Sequence, residues 1–253
     1  MTADTDPASE EFDTEAAWTV EILAELGPDE AIPGACRGSG DPAALDWLAD
    51  ALEVNQASRF LDLGGGIGGP AAWLRQRQGC DPVVAEPMID AVRGARTLFD
   101  LATVAVLDQL PFASGTFDAA WALAVLSTVD DKALTLSELH RVVAPGGHLG
   151  LHEYLRTVER IDDPPAGNDF LTLPELAAAL AHAGFEIVED IGADQLDAPP
   201  ADWQAAVDQV KHALAERHAG EGALEESRRT EARFADLLGN GALTVRLIHA
   251  TRL

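Results

Sequence analysis

The densest run of residues able to hold a ligand is FLDLGGGIGGPAAWL, residues 60–74. A short apolar strand, Phe60 to Leu63, runs into Gly64, Gly65, Gly66, Gly68 and Gly69, and a helix opens near Pro70. Glycines let the backbone come close to a ligand with no Cβ in the way. The helix N-terminus leaves free N–H groups aimed at the same place. In open α/β sheets, ligands bind where a first strand ends and its helix begins. Gly64, Gly66 and Gly69 satisfy the dinucleotide pattern G-x-G-x-x-G, and Glu86 follows Gly64 by 22 residues, the spacing of the acid that accompanies it. Asp62, two residues before the first glycine, argues the other way. A carboxylate at that turn repels a pyrophosphate and suits a ligand carrying an ammonium group.

S-adenosylmethionine is a ligand of that kind, with a cationic amine and a cationic sulfonium. D-L-G-G-G-I-G-G resembles the first motif of class I S-adenosylmethionine-dependent methyltransferases, and the resemblance continues in order along residues 59–192. It implies that Asp62 and the loop, Gly64 and Gly66 included, hold the methionine moiety. Glu86, closing VVAEPM, would accept from both ribose hydroxyls, since one carboxylate takes two hydrogen bonds. Met88 would cover the adenine ring. Asp108, in VAVLDQLPF, would accept from the adenine amino group, and Gln109 would add backbone contacts. FDAAWALAVL resembles the fourth-strand motif, where backbone near Leu123 and Ala124 lines the methionine site. RVVAPGGHLGL resembles the turn into the fifth strand. GGIGGPA and APGG are most similar to small-molecule enzymes of the sterol, quinone and phosphoethanolamine type. One departure stands out: where such enzymes often carry L-H-H, this chain has Leu126-Ser127-Thr128.

Methyl transfer is an in-line displacement at an already activated carbon, so alignment and water exclusion do much of the work. A general base is required only when the acceptor keeps its proton near neutral pH. The candidates are His152, Glu153 and Tyr154, a polar triplet at the carboxyl end of the fifth strand, with His152 and Glu153 as the candidate catalytic residues and His152 as a candidate base.

The elements that must position these residues are legible as alternation. Apolar runs at RFLDL, DPVVAE, ATVAVLD, FDAAWAL, HLGLHEY and FEIVEDI are separated by helical stretches. Repeated βα units of this length predict a mostly parallel sheet with helices on both faces. ALTVRLIHATRL adds a seventh, antiparallel strand, expected at the edge beside the sixth. The fold class is therefore α/β, and the resemblance implies a Rossmann-like, seven-stranded class I methyltransferase fold. Residues 1–57 read as an N-terminal helical extension, in which IPGACRGSGDP is a glycine-rich loop, and 58–253 as the catalytic domain. The helical insertion 197–241 is too long for a hairpin and is expected to pack with the N-terminal helices over the acceptor.

Composition narrows the partners. Of 253 residues, 43 are acidic and 17 basic, a net charge of −26, which disfavours nucleic acid and anionic membrane surfaces. Cys36 and Cys80 are too few and too far apart for a metal knuckle, so no metal is expected. No signal peptide is evident at the N-terminus, and a cytoplasmic monomer or homodimer acting on a small molecule is expected. Two readings compete with methyl transfer: an NAD(P)-dependent oxidoreductase, and a non-catalytic S-adenosylmethionine-binding regulator.

Overall fold

Near-continuous apolar strands are buried on both faces, and the sheet they form here is layered between two helical cores. The computed structural model describes residues 7–37, 40–104 and 109–253. The strands are β1 (Phe60–Leu63), β2 (Val83–Ala85), β3 (Ala102–Val104), β4 (Phe117–Leu123), β5 (Val143–Arg156), β6 (Phe185–Gly192) and β7 (Leu243–Arg252). Their order in the sheet is β3-β2-β1-β4-β5-β7-β6. The pairs from β3 through β5 are parallel, and β7 runs antiparallel to both β5 and β6.

The helices are α1 (Pro7–Ala24), α2 (Pro28–Ala35), α3 (Pro42–Ala51), α4 (Gly69–Gln78), α5 (Ile89–Phe99), α6 (Lys132–Val142), α7 (Leu173–Ala183), α8 (Ala201–Arg217) and α9 (Gly222–Gly239). Local chemistry fixes several ends. Asp41 caps α3 by accepting from the Ala44 N–H at 3.1 Å, with Pro42 opening the first turn. Thr172 and Glu175 form a capping box on α7.

Alternation along each strand sends side chains to two cores. Phe60, Trp121, Leu123 and Leu247 join α1–α5 and α8 on one face. Leu61, Leu63, Ala120, Ala122, Leu149 and Leu151 join α6 and α7 on the other. Each fully buried leucine contributes about 1.5–3 kcal/mol against leaving it in water.

Two expectations are corrected. β7 is not an edge strand: it lies between β5 and β6, and β6 holds the edge. The side chains explain the order. Leu247, Ile248 and Ala250 of β7 are completely buried, whereas β6 carries Glu186, Glu189 and Asp190 and a bulge that leaves Val188 60% exposed. Charges and a bulge suit an edge, where they discourage pairing with another chain. The second correction concerns IPGACRGSGDP, whose first half is the end of α2. Packing overrides the proline and glycine there, because Ala31, Ile32 and Ala35 are buried in the first core.

The insertion supplies α8 and α9, and both pack on α1. Trp18 stacks on His218 with ring centroids 4.0 Å apart, and Arg217 grips Glu25 with two hydrogen bonds of 2.9 and 2.7 Å. At its other end α1 reaches the parallel sheet's own helices, where Asp13 Oδ1 accepts the N–H groups of Asp90 and Ala91.

Candidate active site

β1 ends under the glycine loop, and alternation turns Asp62 to the same face as Phe60. Asp62 is 1% exposed, and neither carboxylate oxygen has a hydrogen-bond partner among the described residues. Gly65 passes directly over it. A Cβ on Gly65 would stand 2.6 Å from Asp62 Oδ2, so only glycine lets the chain cross there. Burial pushes the Asp62 carboxyl up to about 7, and the nearby Glu86 adds to the rise. The Trp121 indole N–H, opposite Asp62 in register, opposes it without completing a hydrogen bond.

Glu86 stands just beyond β2, also buried, with each oxygen engaged once. Its Oε2 accepts the Gly66 N–H at 2.9 Å and its Oε1 accepts the Met88 N–H at 3.0 Å. Those two donors fix the carboxylate's orientation and leave lone pairs on both oxygens. Burial raises its pKa, while the two N–H donors and Arg37 pull it down. The Gly64 N–H donates to the Ala85 carbonyl at 2.7 Å, tying the loop to β2. Met88 is half-buried against the first core at the start of α5, and Leu123 is buried at the end of β4. Gln109 is exposed, and Asp108 lies outside the described residues.

The N-terminal helices close over this loop. A Cβ on Gly69 would sit 2.4 Å from the Ala35 carbonyl carbon and the Cys36 nitrogen, so the end of α2 rests on the first residue of α4. Cys36 is buried there, and its thiol is raised first by desolvation and then by Asp62 and Asp41. Arg37 pairs with Glu15 at 3.0 Å and lies 3.9 Å over the Phe12 ring. Asp62 and Cys36 thus form a buried neighbourhood that the half-buried Asp41 borders. Composition and periodicity single out neither Cys36 nor Asp13 as part of it. Asp41 carries only its capping signature, and Trp121 reads as core.

β5 divides the catalytic candidates. Leu123 pairs with His152 in register, so His152 faces the Asp62 side, about 12 Å away across two strand spacings and two residues along. It is 5% exposed, its Nδ1 has no partner among the described residues, and desolvation lowers its pKa. Glu153 points to the opposite face and is also buried. Its Oε1 accepts the N–H groups of Val125 and Leu126 at 3.1 and 2.9 Å. Burial raises its pKa to about 8 against the pull of those N–H groups. The structure therefore does not bring His152 and Glu153 together; Glu153 holds the loop that follows β4. Ser127, standing where the family's histidine pattern would be, bonds Asn168 Oδ1 at 3.1 Å. Among the described residues there is no metal-binding cluster and no helix long and apolar enough to cross a membrane.

A family model described as a methyltransferase domain matches residues 40–190. The chain is 29% identical over 186 residues to the methyltransferase GfsG of Streptomyces halstedii, covering 54% of this chain and 66% of that protein. It is 33% identical over 111 residues to the chloroplastic tocopherol O-methyltransferase of Arabidopsis thaliana, covering 40% of this chain and 32% of that one. The chain thus spans less than two thirds of the length of these relatives. Its fold is similar to that of the cyclopropane synthase MmaA2 from Mycobacterium tuberculosis, with a TM-score of 0.67, 15% identity and 83% of each chain covered. It is likewise similar to the [4+2]-cyclase SpnF, with a TM-score of 0.65, 23% identity, and 82% of this chain and 79% of that one covered. At those identities the likeness is one of fold.

Proposed function

We propose that this chain, which belongs to the methyltransferase-domain family, transfers a methyl group from S-adenosylmethionine to a small-molecule acceptor, leaving S-adenosylhomocysteine. The observation that carries the reading is Asp62: a buried carboxylate with both oxygens unpartnered, beneath a glycine crossing, with a second buried carboxylate beside it. Burying such a group unpaired is costly, and a cationic ligand removes the cost. A dinucleotide's pyrophosphate would raise it.

In this reading Asp62, Gly64 and Gly66 hold the amino-acid end, and Leu123 lines it. Glu86, already aimed by the Gly66 and Met88 N–H groups, accepts from the ribose hydroxyls. Met88, Asp108 and Gln109 serve the adenine. When bound, the donor supplies a methyl carbon on a positively charged sulfur. The chain's own part is to bind, align and keep water out. α1 and α2 contribute the last of these by resting on the loop and on α5. A cytoplasmic setting and a monomeric or homodimeric state complete the proposal, and the net charge of −26 supports a free small molecule over nucleic acid or an anionic membrane.

Calorimetry with S-adenosylmethionine, S-adenosylhomocysteine and NAD tests it. The two sulfur compounds should bind and NAD should not, and Glu86→Ala should weaken them at least tenfold with the fold retained. Preferential NAD binding, or unchanged affinity in the variant, would overturn the corresponding assignment.

A further inference from the structure

Around His152 the structure builds a surface unlike the donor cradle. Tyr154 stands on the same face of β5, its ring nearly perpendicular to the imidazole at 6.0 Å. Phe234 of α9 meets Tyr154 at 4.8 Å, and Phe170, from the segment between β5 and α7, meets Phe234 edge-on at 5.7 Å. Phe170, Leu237 and Leu243 are the buried members of a small apolar cluster that includes Tyr154 and Phe234. This aromatic wall is separate from both large cores and lies at the carboxyl end of β5.

Its electrostatics are one-sided. The charged side chain that acts on His152 is Asp41, a carboxylate, while Glu153, which acts on Tyr154 from the other face of β5, has its own carboxyl held up to about 8 and is largely neutral near pH 7. The arginines on neighbouring strand ends are spent elsewhere, Arg156 on Glu175 and Arg246 on Asp190. A phosphate or carboxylate placed against this wall would find neither of these arginines free to serve as its counter-ion. His152 itself offers an unpartnered Nδ1, able to accept when the ring carries its hydrogen on Nε2. An attacking hydroxyl must lose its proton during the reaction, whereas a neutral amine attacks through its lone pair and needs no base at that moment.

We propose that the acceptor is an uncharged molecule that presents a hydroxyl group to His152 and lays an apolar or aromatic body against Tyr154 and Phe234, which Phe170 backs. The inference rests on the methyltransferase reading and names the substrate class of the same site. In the transfer the hydroxyl oxygen bonds to the methyl carbon, and the carbon–sulfur bond breaks with its electron pair going to sulfur. The hydroxyl proton goes to His152 Nδ1 and then to solvent.

The test uses the full chain saturated with S-adenosylhomocysteine and three probes that share one ring system: 2-naphthol, 2-naphthoate and 2-naphthylmethylamine. Calorimetry should show 2-naphthol at least tenfold tighter than the other two. Phe234→Ala, and Phe234→Leu as the gentler variant, should weaken 2-naphthol roughly tenfold and twofold with S-adenosylhomocysteine affinity unchanged. The His152 ring signals, assigned by their loss in His152→Gln, should titrate below the ordinary histidine range and move when 2-naphthol binds, which a merely structural histidine would not do. Preference for the carboxylate or the amine, indifference to Phe234, or a His152 signal blind to the probe would overturn the acceptor inference alone. Failure of S-adenosylhomocysteine to bind would overturn the donor reading and this one with it.

Discussion

Asp62 carries two opposed consequences of one burial. Its carboxyl is held up to about 7, so below that pH the free protein keeps it protonated. A cationic ligand recognises the ionised form, so S-adenosylmethionine affinity should fall tenfold for each unit below about 7 and level off above it. The stability of the ligand-free protein moves the other way. The folded state binds this proton more tightly than the unfolded chain, so stability declines as pH rises from the ordinary aspartate value of 3.8 through about 7. Asp62→Asn should therefore flatten both profiles. At pH near 8 the variant should melt higher than the wild type without ligand, yet bind the donor at least tenfold more weakly, since losing one partner of a buried charged contact costs about 2 kcal/mol or more. Calorimetry and thermal melts across pH read both signs, and parallel pH profiles for variant and wild type would contradict the assignment. The placement of Asp62 and Glu86 beside the glycine loop was legible in the sequence because a strand end, a glycine run and a following strand end are local patterns. The separate, structural engagement of Glu153 was not. Adjacent residues of a strand cannot share a face, and the N–H groups that claim Glu153 come from Val125 and Leu126, 28 and 27 residues away.

At the scale of elements, the parallel sheet was readable because each βα unit repeats the same periodicities. What followed it was less so. The antiparallel last strand was expected, but its place inside the sheet depends on which strand better tolerates an edge, a competition settled only between β6 and β7 together. The docking of α1 on α5 was likewise illegible, because it works at a distance. α5 has no side-chain cap of its own, and Asp13 supplies one from 77 and 78 residues upstream. The arrangement makes one side chain both a helix cap and the latch of the N-terminal cover. Asp13→Ala should cost about 1 kcal/mol, the usual value of a lost N-cap. In a chain of this size that lowers Tm by roughly 2–4 °C. The amides of Asp90, Ala91 and the second half of α1 should exchange faster, while those of β4 and β5 stay protected. Uniform acceleration across the molecule, or none in α1, would mean that the helix is held mainly by its contacts with α8 and α9.

Over the whole molecule, 43 acidic groups face 17 basic ones, and the basic ones are largely consumed in local pairs such as Arg59 with Asp118 and Arg217 with Glu25. The unmatched carboxylates repel one another in the folded state more than in the expanded chain, and they attract a cationic donor from solution. Salt weakens both effects, because the Debye length shrinks from about 30 Å at 0.01 M to about 8 Å at 0.15 M. The two responses must then have opposite signs. Raising sodium chloride over that range should raise Tm, as self-repulsion is screened, and should lower the association rate of S-adenosylmethionine measured by stopped flow. Buried Asp62 is screened far less than the surface, so the dissociation rate should change little. The uncharged acceptor proposed above feels no such field, so its association rate should be insensitive to salt. A donor on-rate that also ignores salt would show that the surface charge serves solubility alone and takes no part in bringing the cofactor to the site.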